Sequence, residues 1–572
     1  MSAPRLSADT LALQRLYHWE QDAPTRVALR QPMGGSRVQD FSWGELGDQV
    51  RRMAAHLKTL GLEQGWEPGA RIAILSKNCA WWLMSDLAIW MAGYVSVPLY
   101  PTLAADTVSQ ILTHSEAKLL FVGKLDGWDG MKAGVPASLP CISYPVSPEE
   151  TLDDYDTWDA ICYGTDPLKG NPTRGADELA TIIYTSGTTG MPKGVMHTFG
   201  SFAWAIQSGL KRVPLSEDDR MLSYLPLAHV VERVLVEHGW LRTGMLVFFA
   251  ESLETFAADL QRARPTVFFS VPRLWTKFQQ GVHAKLPPRK FDLLTRLPII
   301  GGLVRRKILK ALGLDQCRLA AGGAAPMPVA LLKWYRELGL PINEGYGMTE
   351  NLAVSHITVP GKDQTGSVGP AYDGVQTRLD PITGELQMKS PALMLGYYKQ
   401  AELTQETLTA DGWLHTGDKA EISDKGALAG CVRITGRVKD LFKTSKGKYV
   451  SPAPIEDRLA MNPALEACAV TGANLAQPIG IAMLSPEAVR RAAQPGTREQ
   501  LVAELERHLQ AVNAKLDPHE QLDCLVAVSA PWTVDNGLIT PTFKVRRNRI
   551  DELYGPRIDG WLAQRRKVLL VD

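Results

Sequence analysis

The chain has 572 residues, which is too long for one hydrophobic core, so we expect two or more domains. Of these residues 45% are apolar and 22% are charged, as is usual for a globular protein. Its 62 basic side chains nearly cancel its 61 acidic ones, so the formal net charge is +1. This balance excludes the strongly basic field of a typical nucleic-acid-binding protein, and we expect no nucleic acid among the partners.

The N-terminal sequence and the cysteines indicate a cytoplasmic protein. Residues 1–21 lack the basic and apolar regions of a secretory signal. The seven cysteines are scattered and form no C-x-x-C pair, which is typical of reduced thiols. The uncharged run 87–105 is long enough to span a bilayer, but Asp86 precedes it, and Pro98 and Pro101 interrupt it. We therefore predict a buried helix, a turn and a strand there.

Short apolar runs alternate with Gly/Pro turns and helical stretches in the first two thirds of the chain. The runs with clear strand character are 71–76, 181–186, 266–271 and 319–326. This alternation predicts α/β layers with mainly parallel sheets, which bind ligands beyond the carboxyl ends of their strands. Later segments have a different pattern, which favours an antiparallel β subdomain over 365–435 and then a small domain containing a helix at 498–516.

The stretch "YTSGTTGMPKG", residues 184–194, combines glycines, hydroxyls and a lysine directly after an apolar run. Gly187, Gly190 and Gly194 permit positive φ and close backbone approach, which suits a bound phosphate. A nucleotide loop of the Walker type requires G-x-x-x-x-G-K-[ST]. Aligned on the lysine, this chain has Pro192 where that loop has glycine, and Gly194 where it has the magnesium-binding hydroxyl. The kinase or switch interpretation is therefore rejected.

The same string resembles the phosphate-binding motif of the adenylate-forming superfamily, which contains acyl-CoA synthetases, peptide-synthetase adenylation domains and luciferases. Other stretches resemble further motifs of that family in the expected order, namely "AGGAAPM" (321–327), "NEGYGMTE" (343–350), "GWLHTGD" (412–418), "ITGRVKD" (434–440) and "TPTFKVRR" (540–547). Each motif alone has an ordinary structural explanation. The resemblance depends on their joint occurrence along most of the chain.

The resemblance implies an α/β fold with two domains. The large N-terminal domain, residues 1–438, would consist of layered α/β subdomains plus a β subdomain. The small C-terminal domain, residues 439–572, would be a mobile α+β domain. The implied ligands are ATP, Mg²⁺ and CoA, and the implied reaction activates a carboxylic acid as an acyl-adenylate before transfer to a thiol.

The resemblance assigns nucleotide contacts to three groups of residues. The pyrophosphate end of ATP would bind Thr185, Ser186, Gly187, Thr188, Thr189, Gly190 and Lys193. The adenine would lie against Gly323, Ala324, Ala325, Glu344, Gly345, Gly347 and the ring of Tyr346. The ribose would bind Asp418 and Arg437.

Catalytic roles follow from the same resemblance. Thr349 would contact the α-phosphate, Glu350 and Thr185 would hold Mg²⁺, and Lys544 would be the catalytic lysine of the small domain. Because the attacking carboxylate and the phosphate are both anions, these groups would act by positioning and charge neutralisation rather than by acid–base catalysis.

The second step would require the small domain to rotate about a hinge at Lys439. The segment 443–452, which contains Lys443 and Gly447, would then replace Lys544 beside the adenylate and receive CoA. The family often has two glycines where this chain has Lys446 followed by Gly447. The sequence leaves open whether the lysines of this segment meet CoA phosphates or form a solvated face.

Two stretches, "LPLAHVVERV" (225–234) and "VPRLWTKF" (271–278), resemble the long-chain fatty acyl-CoA synthetase branch, with His229 in the acyl or gate region. The predicted function is ATP-dependent ligation of a medium- to long-chain fatty acid to CoA. We expect Glu232 and Arg233 to form a structural ion pair. The alternatives are loading of a carrier protein, activation of another acid such as an aryl acid, and an inactive scaffold. Chain length and oligomeric state stay open.

Residues 284–312 contain eight Lys or Arg side chains interleaved with Leu and Ile, and Asp292 is their only acid. Such a basic amphipathic stretch is typical of peripheral contact with an anionic membrane, here the inner face, or of an ordinary basic insertion at the protein surface. The sequence does not decide between these alternatives.

Overall fold

The computed structural model describes residues 7–35, 37–185, 191–534, 536–540 and 544–572. Its contacts divide the chain into two compact units. The larger unit comprises residues 1–325, 331–377 and 388–414. The smaller unit comprises residues 326–330, 378–387 and 415–572.

The main sheet of the larger unit has eight strands. Their order across the sheet is Gly396–Tyr397, Lys193–Thr198, Leu179–Thr185, Val95–Leu99, Arg71–Leu75, Leu119–Val122, Cys141–Ser143 and Asp156–Thr157. The last six of these strands are parallel, and the first two are joined to them by antiparallel pairing. The central strands are almost wholly buried, which explains their continuous apolar sequences.

Two four-stranded sheets complete the larger unit. One has the order Arg220–Ser223, Leu246–Phe249, Val27–Pro32 and Val38–Ser42, and the other has the order Val267–Ser270, Leu319–Gly322, Ile342–Tyr346 and His356–Ile357. In both sheets the first three strands are parallel and the fourth is antiparallel. The predicted parallel layering is confirmed, although the strand predicted at 319–326 ends at Gly322.

The helices of the first 410 residues are Ala12–Asp22, Trp43–Glu63, Ala80–Ala92, Ala105–Ser115, Asp129–Lys132, Glu149–Asp154, Trp158–Gly164, Phe199–Arg212, Val230–Glu232, Gly239–Thr243, Phe256–Ala263, Pro272–Lys285, Pro288–Arg296, Ile300–Ala311, Val329–Leu338 and Ala401–Thr407. A π-helical turn covers Arg233–His238, and short 3₁₀ turns cover Ala8–Thr10 and Thr349–Asn351.

The helix Ala80–Ala92 is buried on all sides, and the strand Val95–Leu99 follows it. The helix–turn–strand predicted within 87–105 is confirmed. Across the described ranges, every helix is too short or too polar to cross a bilayer.

The smaller unit holds most of a sheet ordered Gln376–Leu379, Glu385–Lys389, Leu414–Ile422 and Val432–Arg437. It also has a hairpin, Phe442–Lys443 with Tyr449–Val450, and a sheet ordered Leu465–Thr471, Ile479–Leu484, Leu525–Val528 and Val568–Val571. Its helices are Pro452–Leu459, Pro486–Ala492, Thr497–Asn513, Arg547–Tyr554 and Ile558–Leu562, with 3₁₀ turns at Gly426–Leu428 and Gly555–Arg557. The helix predicted at 498–516 and the antiparallel pairing before residue 438 are confirmed.

Each unit has its own hydrophobic core. In the larger unit, Trp43 packs between Trp19 and Trp240, with ring centroids 5.7 and 4.5 Å away. In the smaller unit, Leu505 of the helix Thr497–Asn513 and Leu525 of the strand Leu525–Val528 belong to a separate buried cluster. Separate cores are what two domains of these sizes require.

Candidate active site

The glycine-rich string connects two antiparallel strands, Leu179–Thr185 and Lys193–Thr198, with Thr185 opposite Lys193. A Walker loop would instead lead from a strand directly into a helix, so the hairpin gives a second reason to reject it. Ser186, Gly187, Thr188, Thr189 and Gly190 lie outside the described residues. The expectation of positive φ at Gly194 was wrong, whereas the expectation of close packing at this glycine is confirmed. It lies within the strand without positive φ, and a Cβ there would stand 2.7 Å from Ile182 Cγ2, so side-chain packing requires the glycine.

Tyr397 joins the hairpin to the predicted magnesium ligand. Its strand, Gly396–Tyr397, pairs with Lys193–Thr198. The Tyr397 hydroxyl donates a hydrogen bond of 2.8 Å to Glu350 Oε1, and Lys193 Nζ lies 5.4 Å from the centre of the Tyr397 ring. Burial, followed by the charge of Glu350, raises the pKa of Tyr397, so the hydroxyl keeps its proton and remains a donor. No motif or periodic pattern in the sequence marks this residue.

A second connection joins the hairpin to residue 349. His197 Nε2 lies 2.7 Å from the carbonyl oxygen of Thr349. Burial lowers the pKa of His197 to about 4, so the ring is neutral at physiological pH and Nε2–H donates to that carbonyl. The turn Thr349–Asn351 is also fixed by Asn351 Oδ1, which accepts from the backbone N–H of Met348 at 2.9 Å. The hairpin and the motif at 343–350 are therefore neighbours in the larger unit.

The predicted adenine-contacting segments meet at the carboxyl ends of two parallel strands. Leu319–Gly322 pairs with Ile342–Tyr346, and Gly322 lies opposite Glu344. A Cβ on Gly323 would stand 2.6 Å from the carbonyl oxygen of Gly345, so only glycine permits this approach. Ala324 and Ala325 are exposed, Glu344 is buried, and Tyr346 and Gly347 are half-buried. The fold thus places an accessible aromatic ring beside a backbone turn.

His229 lies at the start of the short helix Val230–Glu232, where its Nδ1 accepts from the backbone N–H of Val231 at 3.3 Å. The predicted ion pair between Glu232 and Arg233 is wrong. Successive residues of a helix point in different directions. Glu232 accepts hydrogen bonds from Asn78, Ser223 and the backbone N–H of Tyr224, and its burial raises its pKa to about 8.

Arg233 instead belongs to a buried cluster with two carboxylates. Its guanidinium bonds to Asp86 and lies 3.1 Å from Glu237 Oε2, and all three side chains are fully buried. Burial raises the pKa of Glu237 well above its usual value. The rings of Trp82, Trp90 and Phe202 surround the guanidinium at 5.2 to 5.7 Å. This cluster fixes the π-helical turn that follows His229.

In the smaller unit, the two predicted ribose contacts are paired with each other. Asp418 lies opposite Arg437 on neighbouring antiparallel strands, and Arg437 Nε lies 3.1 Å from Asp418 Oδ1. The Asp418 side chain is buried, whereas that of Arg437 is 53% exposed. Lys439 is exposed in the turn that follows this strand.

The segment predicted to receive CoA is a β-hairpin. Phe442–Lys443 pairs with Tyr449–Val450, and Gly447 has φ +76° at the tip, a conformation that favours glycine. The side chains of lysines 443, 446 and 448 are all exposed. The structure therefore keeps three positive charges available on one short hairpin.

Lys544 is exposed and held in place through its backbone. The carbonyl oxygen of Lys544 accepts from the Thr540 N–H at 2.8 Å, and the Lys544 N–H donates to Thr540 Oγ1 at 3.0 Å. Three residues later, Arg547 begins the helix Arg547–Tyr554 and forms a bidentate pair with Glu456 at 2.6 and 2.9 Å. Arg547 also donates to the Val470 carbonyl at 2.8 Å.

The donor set fits a magnesium ion that is bound together with a nucleotide. Within the described ranges, no group of three or more His, Cys, Asp or Glu residues could hold a metal ion. Mg²⁺ typically takes one or two protein carboxylates and completes its shell with substrate phosphates and water. Glu350, with one oxygen bonded to Tyr397, provides such a carboxylate.

Comparison with known proteins adds sequence and fold relationships. Residues 16–398 match the family described as AMP-binding enzyme, and residues 439–565 match the AMP-binding enzyme C-terminal domain. A long-chain-fatty-acid–CoA ligase of Mycobacterium bovis is 30% identical, over 95% of this chain and 96% of that protein. Fatty acyl-CoA synthetase A of Dictyostelium discoideum is 27% identical, over 97% of this chain and 91% of that protein.

Solved structures share the fold along nearly the whole chain. An anthranilate CoA ligase in complex with anthranoyl-AMP has a TM-score of 0.75 at 20% identity, covering 96% of this chain and 98% of that one. The A domain of a carboxylic acid reductase from Segniliparus rugosus, in complex with AMP, has a TM-score of 0.79 at 22% identity. The match covers 97% of this chain and 94% of that one. At these identities the likeness concerns the fold alone.

Proposed function

Because the chain belongs to the AMP-binding enzyme family, we propose that it ligates a medium- to long-chain fatty acid to CoA at the expense of ATP. The acid first attacks the α-phosphate to give an acyl-adenylate and pyrophosphate, and CoA then displaces AMP. The observation that carries the proposal is the connection of the hairpin to Thr349 and Glu350 through His197 and Tyr397. The relatives that match almost end to end are named as fatty acid–CoA ligases.

In the first step, the site must bring two anions together. We assign Lys193 and the residues of the 185–190 loop to the pyrophosphate end of ATP, and Thr349 to the α-phosphate. Glu350 and Thr185 would hold Mg²⁺, which supplies further positive charge to the phosphates when bound. Lys544 would bridge the reacting oxygens. None of these groups needs to change its protonation state, because their contribution is charge and position.

The nucleoside end of ATP is assigned to residues of both units. Tyr346 would stack on the adenine, beside the turn of Gly323, Ala324 and Ala325. Asp418 would accept hydrogen bonds from the ribose hydroxyls. Its pairing with Arg437 supports this role, because a hydrogen bond from the guanidinium fixes the orientation of the carboxylate.

The second step is assigned to a rotation of residues 439–572 about Lys439 relative to residues 1–438. The hairpin containing Lys443 and Gly447 would then replace Lys544 beside the adenylate. CoA carries several phosphate charges, and the three exposed lysines of this hairpin give it a complementary charge. We therefore propose CoA as the acyl acceptor.

The acid is proposed to be a fatty acid, with His229 beside the acyl group or its entrance. We place the protein in the cytoplasm, with peripheral contact to the inner face of a membrane through residues 284–312. Fatty acids partition into membranes, so such contact would bring the enzyme to its substrate.

The experiment supplies ATP, Mg²⁺, CoA and a panel of short, medium, long and aryl acids, and identifies the products by mass. We expect acyl-CoA, AMP and pyrophosphate, with the highest kcat/KM for a medium or long fatty acid. Pyrophosphate release without a CoA thioester would contradict CoA as the acceptor and indicate carrier-protein loading. The highest kcat/KM for an aryl acid would contradict a fatty acid as the substrate. No pyrophosphate release with any acid would contradict the whole proposal.

A further inference from the structure

An exposed apolar corner lies between the helices Pro288–Arg296 and Ile300–Ala311. Five of the seventeen large apolar side chains that are exposed in the described ranges fall within eleven positions of this helix pair, and they are Leu293, Leu297, Ile299, Ile300 and Leu303. We call these five side chains the apolar corner. Ile299 is 87% exposed and Leu303 is 65% exposed. A contiguous group of this kind marks an interaction surface more often than scattered single residues do.

The backbone at the corner is strained in a way that exposes Ile299. Its φ is +66° and its ψ is −57°, and the Ile300 N–H donates to the Pro298 carbonyl at 2.7 Å. These values describe a γ-turn of the rare positive-φ form, which is especially unfavourable for a β-branched residue. A glycine would adopt this conformation without strain. The chain instead holds an isoleucine there, with its side chain in solvent.

Positively charged side chains accompany the apolar corner on its two helices and at the end of the preceding helix, Pro272–Lys285. Seven basic side chains of this region are exposed, namely Lys285, Arg289, Lys290, Arg296, Arg306, Lys307 and Lys310. Within the part of the chain that the structure describes, none of the seven is paired with an acid. Arg289 precedes Leu293 by four residues, and Lys307 follows Leu303 by four, so the apolar and basic side chains continue along the same helix faces.

We propose that the apolar corner inserts into the interfacial region of an anionic membrane while these basic side chains bind lipid headgroups. The exposed lysines Lys307 and Lys310 lie one and two helical turns beyond Leu303. Basic side chains this close to an inserted apolar group can reach lipid headgroups. The charge pattern favours an anionic bilayer over a protein partner, because seven exposed basic side chains lie close to the corner in the sequence and, in the described ranges, none is paired with an acid.

This inference specifies the membrane contact of the proposed function, yet it can be tested without any enzymatic activity. The full-length protein is incubated with extruded phosphatidylcholine vesicles, with or without phosphatidylglycerol, in the absence of ATP and CoA, and bound protein is measured by flotation. We expect binding to the anionic vesicles that weakens with salt. Removing charge with the double variant Arg306→Gln/Lys307→Gln should weaken binding about fivefold per charge.

The double variant Ile299→Ser/Leu303→Ser should weaken binding more than tenfold, since it removes two inserted apolar side chains. The matched control is Leu62→Ser/Leu253→Ser, which alters two leucines that are each 85% exposed elsewhere in the larger unit. This control should bind like the wild type. CoA ligation of a short, soluble acid should be the same in all variants, which separates loss of membrane contact from loss of the catalytic fold.

Ile299→Gly distinguishes membrane insertion from a purely structural role. It relieves the strained turn, so the melting temperature should stay the same or rise, while binding to anionic vesicles falls. A lower melting temperature together with unchanged vesicle binding would overturn the inference. The inference would also be overturned if the wild type bound neither vesicle, or if the Ile299→Ser/Leu303→Ser variant bound as tightly as the wild type.

Discussion

Tyr397 holds the carboxylate that we assign to magnesium. Its hydroxyl donates to one oxygen of Glu350 at 2.8 Å, while Lys193 lies over its ring. A hydrogen bond to an ionised group contributes about 1.5–3 kcal/mol, and it also fixes the orientation of that group. Tyr397 therefore acts as a positioning residue for Glu350, and the test of this role is metal affinity rather than folding.

Tyr397→Phe should raise the Mg²⁺ concentration needed for half-maximal adenylation by about tenfold. The measurement is pyrophosphate release as a function of Mg²⁺, together with direct binding of Mn²⁺ to the protein–ATP complex by paramagnetic resonance. Tyr163→Phe is a suitable control because Tyr163 is 94% exposed. Unchanged Mn²⁺ binding in the Tyr397 variant would exclude the positioning role.

The sequence motifs identified candidate site residues but not the side chains that hold them in place. The phosphate string, Glu350 and the Asp418–Arg437 region were recognisable from local motifs. Tyr397 was not, because its two-residue strand has no periodic signal and its contact with Glu350 crosses 47 residues of chain. Arg233 was assigned the adjacent Glu232, whereas its partner Asp86 lies 147 residues away in the sequence. Partners in a folded core are chosen by tertiary packing, which a single sequence does not display.

Among the secondary-structure elements, the helix Ala80–Ala92 and the π-helical turn Arg233–His238 are joined by the buried cluster of Asp86, Arg233 and Glu237. Removing one partner from such a cluster leaves an uncompensated buried charge. Arg233→Ala should therefore lower the free energy of unfolding by about 3–5 kcal/mol, measured as a shift of the denaturant midpoint.

Arg336→Ala provides the control, because the Arg336–Asp363 pair is exposed and should contribute about 0–1 kcal/mol. The triple variant Asp86→Leu/Arg233→Met/Glu237→Leu should recover most of the lost stability, since it replaces the charges by apolar side chains. An Arg233→Ala protein as stable as the wild type would contradict this account of the turn.

The helix Arg547–Tyr554 anchors the segment that carries Lys544. Arg547 connects it to Glu456 on the helix Pro452–Leu459 and to the Val470 carbonyl. The ammonium group of a lysine cannot form the bidentate pair that the Arg547 guanidinium forms. We expect Arg547→Lys to lower the kcat of adenylation about tenfold or more, on the scale of a misplaced catalytic group. Conversion of supplied acyl-adenylate to acyl-CoA, which does not use Lys544, should continue at the wild-type rate.

The control for Arg547→Lys lies on the same helix. Arg549 pairs with Glu552 at 2.6 Å, but both side chains are more than half exposed, so Arg549→Lys should leave both half-reactions unchanged. Equal loss of both half-reactions in Arg547→Lys would indicate a general structural role and would contradict positioning of Lys544.

At the scale of the whole molecule, the parallel α/β layers and the later antiparallel pairing followed from the sequence pattern, because alternating apolar runs and helices favour parallel sheets. The order of the strands within each sheet did not follow from it. The assignment of site residues to two different units did not follow from the sequence pattern alone. Lys193 belongs to the larger unit and Lys544 to the smaller one. Our account assigns both lysines to the same ATP in the first step. In the second step it assigns the place of Lys544 beside the adenylate to the hairpin that contains Lys443 and Gly447.

The most direct measurement is fatty-acid-dependent exchange of labelled pyrophosphate into ATP by the Lys544→Ala protein. Lys567→Ala serves as the control, since Lys567 is an exposed lysine of the same unit. We predict that Lys544→Ala loses about a hundredfold or more of the exchange rate, while it still binds ATP and still converts supplied acyl-adenylate to acyl-CoA. Near-normal exchange in Lys544→Ala would contradict the central claim that this lysine completes the adenylation site.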